Sequence, residues 1–248
     1  MQNAHLSIQH TAGNENTGFL KILAIITMII DHVGVALFPR VLLLRYIGRI
    51  AMPLFCWCIA VGACKTHSPL RYALRLLAVG AVSQPFYMLA LGHTIKELNV
   101  YATLFLGLCA IIGIREKKCF SHLWAPAIAL VITRYVKMDY STEGVLLIIG
   151  LYLARNRKWA IALVMAAMCA WWWVGDSFIY WLRIQTGELR MSTSALRYYV
   201  HTVQPWAICA LPLMLLPTVC PFRLPKWLGY AAYPAHLLLI ALVDCFLM

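Results

Sequence analysis

The residues that could do chemistry begin with Asp31 and His32, which stand side by side inside the apolar stretch FLKILAIITMIIDHVGVALFP, residues 19–39. Ionisable groups are costly in lipid, about 2.5–3.5 kcal/mol each on insertion scales, so they usually face the interior of a helix bundle and mark function. An imidazole can accept and release a proton near neutral pH. We therefore predict that His32 is catalytic; the alternative is a histidine that only hydrogen-bonds two helices.

Helical spacing relates His32 to its neighbours on the same stretch. Lys21 lies eleven residues earlier, which is about 20° from a whole number of turns and about 16 Å along the axis, so the two side chains share a face. Asp31 lies about 100° round from His32. Its carboxylate could strengthen the imidazole as a base, or it could pair with an arginine such as Arg49. The sequence leaves both possibilities open.

Two arginines on the next apolar stretch, Arg45 and Arg49, are four residues apart and share a helix face. A guanidinium can bind phosphate or a developing oxyanion, or it can form a buried ion pair or reach the interface. We predict Asp31 and Arg49 as catalytic residues beside His32, and Lys21 and Arg45 as cofactor-binding residues.

Other polar residues inside apolar stretches are predicted to line the same cavity: His236, Tyr233, Asn99, Gln84 and Asp139. None of the nine cysteines forms a CxxC pair or has a histidine at metal spacing. We therefore predict no metal.

The composition indicates the elements that must position these residues. The 248 residues are 62% hydrophobic and 12% charged, with a mean hydropathy of +0.77, far more apolar than a soluble domain. We predict an all-α polytopic membrane protein, a single bundle of about nine transmembrane helices, with a range of eight to ten, around a polar cavity. The predicted spans are 18–38, 43–63, 70–91, 99–115, 121–136, 142–155, 158–175, 203–219 and 227–247, and 176–201 could hold another helix around 178–184.

The net charge of +12 is read as a signal of topology rather than of nucleic-acid binding. With the N-terminus inside, twelve of the assigned Lys and Arg residues fall on the cytoplasmic side and eight on the other, as the positive-inside rule expects. We predict a polar cytoplasmic N-terminal segment (1–17), a first helix that serves as a retained signal anchor, and one transmembrane domain (18–248), which the resemblance described below implies is acyltransferase-like. Nine spans would leave the C-terminus outside.

Six short motifs follow one another in a fixed order: LKILAIITMIIDHVG, LRYIGRIAMPLF, SQPFY, LNVYATLFLGL, DYSTEGVL and YPAHLLL. In this order they resemble the TraX family of conjugative pilin acetylases, from about residue 18 to the C-terminus. The resemblance implies a bacterial inner-membrane enzyme that transfers acetyl from acetyl-CoA to the N-terminal amine of the processed pilin subunit. Its partners would be pilin and the lipid bilayer, without nucleic acid.

A more distant resemblance is to the transmembrane acyltransferase superfamily, which includes sugar O-acetyltransferases and a lysosomal glucosaminide N-acetyltransferase. The spacing Lys21-x10-His32 is similar to its basic-x10-His motif, which implies acetyl-CoA as donor and His32 at the reacting centre. The superfamily often has two arginines separated by two residues, whereas three separate Arg45 from Arg49. His236 matches a late histidine in position only.

Three other functions stay open at this point. An acyltransferase acting on a sugar or polymer would use the same residues. A transporter also carries intramembrane His, Asp and Arg, although no inverted repeat is visible. A non-catalytic pilin assembly chaperone would need no proton chemistry. The stretch TGELRMSTSALRYY, 186–199, is predicted to be an exposed loop that could meet a substrate.

Overall fold

The computed structural model of the chain describes residues 10–185, 204–218 and 225–247, and the described chain is mostly helical. This confirms the all-α prediction. The helices, in chain order, are α1 (Thr17–Ala36), α2 (Leu42–Gly48), α3 (Ala51–Lys65), α4 (Pro69–Leu91), α5 (Val100–Glu116), α6 (Ser121–Tyr135), α7 (Ser141–Ala154), α8 (Lys158–Gln185), α9 (Leu211–Leu215) and α10 (Lys226–Leu247). Short 3-10 helices cover Lys118–Phe120 and Gln204–Ala210. Two-residue strands β1 (Glu97–Leu98) and β2 (Lys137–Met138) pair in parallel.

Four helical segments of the described chain are long and apolar enough to cross a membrane: Thr17–Ala36, Leu42–Lys65, Pro69–Leu91 and Trp227–Phe246. The prediction of about nine spans is not confirmed. A helix rises 1.5 Å per residue, so α7, with 14 residues, is about 21 Å long against a hydrocarbon core of about 30 Å. Such short helices are therefore not among the four segments.

Two of the predicted segments differ most from the structure. The predicted span 203–219 contains a 3-10 helix and a five-residue α-helix, because Pro205, Pro212 and Pro217 remove backbone donors that a continuous helix needs. The helix expected around 178–184 is a continuation of α8 to Gln185. The predicted loop 186–199 lies outside the described residues.

Local sequence sets several helix ends. Asn16 caps α1 by accepting a hydrogen bond from the backbone N–H of Phe19 at 3.2 Å, and Asn99 caps α5 through the N–H of Tyr101 at 3.0 Å. α4 begins with Pro69, which needs no intrahelical donor there, and ends at Gly92, whose φ of 67° is left-handed.

A break between α2 and α3 positions Arg49. Pro53 in the first turn of α3 has no N–H to give to the carbonyl of Arg49, so the helical ladder is interrupted there. The two pieces together still form the 24-residue segment Leu42–Lys65. Arg49 is the residue just after α2 ends, and it is 8% exposed.

α3 lies at the centre of the bundle. Twelve of its fifteen residues are buried, and it packs against α1, α5 and α7. Leu54 and Trp57 are fully buried. A charge on this helix must therefore find partners inside the protein.

The helix ends meet in two groups at opposite ends of the bundle. At one end Lys65 pairs with Glu15 at 2.9 Å, Arg115 donates to the carbonyls of Ala63 and Thr66, and the N–H of Ala12 bonds the carbonyl of Arg155 at 2.7 Å. At the other end β1 pairs with β2. The helices therefore alternate in direction from α1 to α7, with α2 and α3 counted as one segment.

Residues 10–16, predicted as part of a polar N-terminal segment, are built into the bundle; residues 1–9 lie outside the described chain. Asn14 is 1% exposed. Its side-chain amide donates to the carbonyl of Leu213 at 2.9 Å and to the hydroxyl of Thr218 at 3.0 Å. Its backbone carbonyl accepts from the indole of Trp57 at 2.8 Å. Asn14 therefore joins the N-terminus, α3 and the segment after α9.

Glu15, next to Asn14, is held as a carboxylate. Burial alone would raise its pKa, but hydrogen bonds from Lys65 and from the backbone N–H of Thr11 lower the pKa below its ordinary value. A carboxyl group with a lowered folded-state pKa stabilises the fold above its unfolded-state pKa and loses that contribution as the pH falls through the folded-state value. The Glu15–Lys65 contact is therefore present at neutral pH and is lost in acid.

We expect Asn14→Ala to lower the free energy of unfolding by about 1–3 kcal/mol, because buried partners of its amide would be left without a hydrogen bond. Thermal unfolding in detergent measures this. Asn156→Ala is the matched control, since Asn156 is exposed in the turn before α8 and should unfold like the wild type. Equal unfolding temperatures for the two variants would contradict this account of Asn14.

Candidate active site

Asp31 is the centre of a buried ion cluster. Arg49 Nη2 contacts both carboxylate oxygens of Asp31, at 2.6 and 2.5 Å. Arg45 Nη1 lies 2.9 Å from Asp31 Oδ1. Hydrogen bonds between ionised partners are among the strongest in proteins, and Arg49 holds the carboxylate through two of them. One aspartate therefore joins α1 to α2 and to the start of α3, with one positive charge in excess.

A glycine permits the close approach of α1 and α2 that this cluster needs. A Cβ atom built on Gly48 would lie 2.2–2.5 Å from the side chain of Asp31, closer than real atoms approach. Any side chain there would push Asp31 away from the arginines. The Gly in LRYIGRI thus has a packing reason that the sequence pattern alone did not reveal.

Tyr140 and Gln204 occupy the other face of the Arg49 guanidinium. Arg49 Nη1 donates to the Tyr140 hydroxyl at 3.2 Å and to Gln204 Oε1 at 2.9 Å. Tyr140 has a left-handed φ of 58°, which is uncommon for a residue with a side chain and is often kept for a functional reason. All four terminal N–H bonds of Arg49 therefore have partners.

His32 is bonded to His236. His32 Nδ1 lies 2.7 Å from His236 Nε2, and the two ring planes are within 23° of each other. His236 Nδ1 lies 2.8 Å from the carbonyl oxygen of Ala232, which can only accept. With both rings uncharged, His236 Nδ1 and His32 Nδ1 carry the protons, and His32 Nε2 keeps its lone pair. No other described residue bonds that nitrogen.

A cavity of about 230 Å³ opens beside His32. The ion cluster lines it, with Asp31, Arg45 and Arg49, and so does Asp139. The imidazole of His32 and the guanidinium of Arg45, which has N–H groups beyond the one that contacts Asp31, thus border a space large enough for a small group. A base and a hydrogen-bond donor beside one cavity are the groups that assist attack on a carbonyl carbon.

A second cavity of about 540 Å³ lies toward the end of the bundle where Glu15 and Lys65 pair. Lys21 lines it, together with mostly apolar and aromatic side chains, and it extends from Glu15 to Tyr233. Four residues line both cavities: Met28, Phe55, Val100 and Tyr233. We call these four residues the shared wall, and the two spaces the His32 cavity and the Lys21 cavity.

The structure brings together most, but not all, of the predicted site residues. Asp31, His32, Arg45, Arg49, Asp139 and Tyr233 line the His32 cavity, and His236 lies directly behind His32. Lys21 faces the other cavity, so it does not lie beside Arg45, the other residue predicted to bind the cofactor.

Gln84 and Asn99 are not among the residues that line either cavity. Gln84 Nε2 donates to the carbonyl of Glu97 at 2.8 Å, and Asn99 Nδ2 donates to the carbonyl of Gly80 at 2.8 Å and to Gln84 Oε1 at 2.9 Å. These bonds tie the end of α4 to the start of α5. The described hydrogen bonds of Gln84 and Asn99 therefore hold helices together rather than border a cavity.

Sequence reasoning missed Tyr140, Gln204 and Gly48. Tyr140 adjoins the predicted Asp139 in the DYSTEG motif, so a search for phenols beside buried acids could have found it. Gln204 reaches Arg49 across 155 residues of chain, and no spacing rule connects such a pair. Among the described residues, no group of three or more His, Cys, Asp or Glu side chains could hold a metal ion.

Comparison with known proteins agrees with this architecture. The sequence pattern that defines the TraX protein family matches residues 16–244, and the chain belongs to that family. Similar proteins include an uncharacterised protein of Rickettsia prowazekii (strain Madrid E), 31% identical over 144 residues, or 56% of each chain. A probable fimbrial assembly protein of Dichelobacter nodosus, FimC of serogroup H1, is 30% identical over 165 residues. That alignment covers 60% of this chain and 67% of the relative. No solved structure matches.

We expect Asp31→Asn to destabilise the fold by about 3–5 kcal/mol, because it leaves the buried guanidinium of Arg49 and the half-buried guanidinium of Arg45 without their carboxylate. Thermal unfolding in detergent would show the loss. Asp244→Asn is the control, since Asp244 lies near the end of α10 and has no ion pair among the described residues. An unfolding temperature for Asp31→Asn equal to that of the control would show that the cluster does not hold the helices.

Proposed function

We propose that this TraX-family protein is a membrane-embedded N-acetyltransferase that moves acetyl from acetyl-CoA to the N-terminal amine of a conjugative pilin. One observation carries the proposal: His32 Nε2 is left unprotonated by its bond to His236, beside a cavity that shares a wall with a second, larger one. A two-substrate transfer needs a base and two approaches to it.

The substrate class follows from the family and from one relative. The chain belongs to the TraX family, and the Dichelobacter relative is named as a probable fimbrial assembly protein. A processed pilin presents a free α-amine, whose pKa near 8 leaves it partly protonated at neutral pH. A base that removes its proton is therefore useful chemistry, and His32 is the base in this proposal.

His236 acts as the positioning residue for that base. It holds the His32 ring through Nδ1, in the same way that a carboxylate orients the histidine of a hydrolase triad. When His32 takes a proton at Nε2, the Nδ1 bond to His236 remains in place. The ion cluster fixes the helix that carries His32, because Asp31 is the preceding residue.

The donor is assigned to the Lys21 cavity and the amine to the His32 cavity. An acyl-pantetheine arm is long, thin and largely apolar, which suits a cavity of about 540 Å³ with aromatic walls. The phosphates of CoA would lie near Lys21, at the end of the bundle where basic helix ends gather. The amine would meet the thioester at the shared wall.

We expect wild-type protein to add the mass of one acetyl group to co-expressed pilin, and His32→Ala to lower the initial rate by about 10²–10⁴-fold, the usual range for loss of a general acid–base group. Intact mass of membrane-inserted pilin, sampled over time, measures both. His236→Ala should slow the reaction less than His32→Ala.

His67→Ala is the matched control, because His67 is exposed between α3 and α4 and should leave the rate unchanged. An unaltered pilin mass with wild-type protein would overturn the pilin assignment, and acetyl transfer to a sugar or polymer would then be tested. Full acetylation by His32→Ala would remove His32 from the mechanism and leave the enzyme class intact.

A second test concerns the donor. We expect Lys21→Gln to raise KM for acetyl-CoA by about 5–30-fold, since one charge-assisted contact contributes about 1–2 kcal/mol more than a neutral one. With S-acetylpantetheine, which has no phosphate, wild type and variant should have the same KM. Lys96→Gln, at the opposite end of the bundle, is the control. A KM that rises equally for both donors would mean that Lys21 does not bind phosphate.

A further inference from the structure

Tyr233 carries a buried hydroxyl group that donates to no described residue. The residue is 2% exposed, its hydroxyl proton has no acceptor there, and the backbone N–H of Val100 is the group that approaches the hydroxyl oxygen. Buried hydroxyl groups in native proteins are almost always bonded, so an exception needs a reason. A buried hydroxyl group without an acceptor in the protein can donate its hydrogen bond to a bound ligand.

The position of Tyr233 indicates which ligand. It belongs to the shared wall, so it borders both the Lys21 cavity and the His32 cavity. Its ring meets the His32 ring edge-on, with centroids 6.1 Å apart, and the His236 ring at 5.4 Å. Tyr233 and His236 are three residues apart on α10, so both lie on one face. The hydroxyl therefore belongs to the place where base and thioester would meet.

Arg49, predicted to stabilise the oxyanion, has little capacity left for that task. Its four terminal N–H bonds point to Asp31, Tyr140 and Gln204, and only Nε is without a partner. Its charge is largely balanced by Asp31. A donor with no competing bond is a better fit to an oxygen that becomes negative only during the reaction.

We propose that the Tyr233 hydroxyl donates a hydrogen bond to the acetyl carbonyl oxygen and stabilises the oxyanion of the tetrahedral intermediate. This inference rests on the proposed function and names a further catalytic residue for it. It also explains why a phenol stands in an otherwise apolar wall between two cavities.

In the proposed step, the pilin amine nitrogen attacks the thioester carbonyl carbon and a C–N bond forms. The carbonyl π electrons move to the oxygen, which accepts a hydrogen bond from the Tyr233 hydroxyl. His32 Nε2 takes the proton of the amine. The oxyanion then collapses, the C–S bond breaks, and the CoA thiolate takes the proton back from the His32 imidazolium. Acetyl-CoA and a primary amine become free CoA and an N-acetyl amide.

The Tyr233 phenol is a hydrogen-bond donor that carries no charge. A lysine or arginine at this position would add to the excess positive charge of the Asp31, Arg45 and Arg49 cluster. The aromatic ring of Tyr233 packs against the ring of Tyr101, at 5.1 Å between centroids.

Tyr233→Phe removes the hydroxyl and keeps the ring. We expect kcat for pilin acetylation to fall by about 10²–10³-fold, the usual effect of removing one oxyanion donor, with KM for acetyl-CoA within about 2-fold of wild type. The variant should unfold at the same temperature as wild type or higher, because the lost hydroxyl donates no hydrogen bond within the described protein. A fluorinated tyrosine at this position, which is a stronger donor, should keep wild-type kcat or exceed it.

Tyr152→Phe is the matched control: Tyr152 is also 2% exposed but does not line either cavity, and its kcat should not change. Wild-type kcat in Tyr233→Phe would overturn the inference while the proposed function stands. A rise in KM with unchanged kcat would also overturn it, because it would assign Tyr233 to ground-state binding. An inactive wild type would instead overturn the proposed function itself.

Discussion

The bundle depends on one buried carboxylate that is shared by two guanidinium groups. Asp31 and Arg49 are 9% and 8% exposed, so each needs the other to stabilise its charge. The pair fixes α1 against the α2–α3 break, and Gly48 is the residue small enough to permit it. Because the constraint acts at the residue before His32, it also fixes where the imidazole can point. The ion cluster at Asp31 thus both stabilises the bundle and orients the His32 side chain.

Two cavities divided by a single layer of side chains make the bundle suited to a reaction between unlike partners. A long thioester and a peptide amine differ in size and polarity, and they can be selected independently if they enter separately. In the proposed reaction, the layer that separates them must admit the acetyl group and exclude water, since water would compete with the amine. Phe55, Met28 and Val100 supply the apolar part of that layer, and Tyr233 supplies its polar atom.

Local sequence predicted the parts of this molecule that local physics controls. Most helix bounds and the option that Asp31 pairs with Arg49 followed from apolar run length and helical spacing. The count of about nine spans stays a prediction, since four segments of the described chain have the length and hydropathy to cross a membrane. The contact of Arg49 with Gln204 and the separation of Lys21 from Arg45 did not follow, because they depend on how distant segments pack.

The hydrogen bonds of Asn14 set an order of assembly. This residue is made early, yet its amide partners belong to residues 213–218, and the Lys21 cavity is closed on one side by residues 225–233. A nascent chain that has inserted α1 to α7 therefore possesses the Asp31 cluster but has no enclosed donor cavity. The Lys21 cavity is enclosed only when α10 has joined the bundle. A chain truncated before α10 would therefore contain His32 but would lack an enclosed Lys21 cavity.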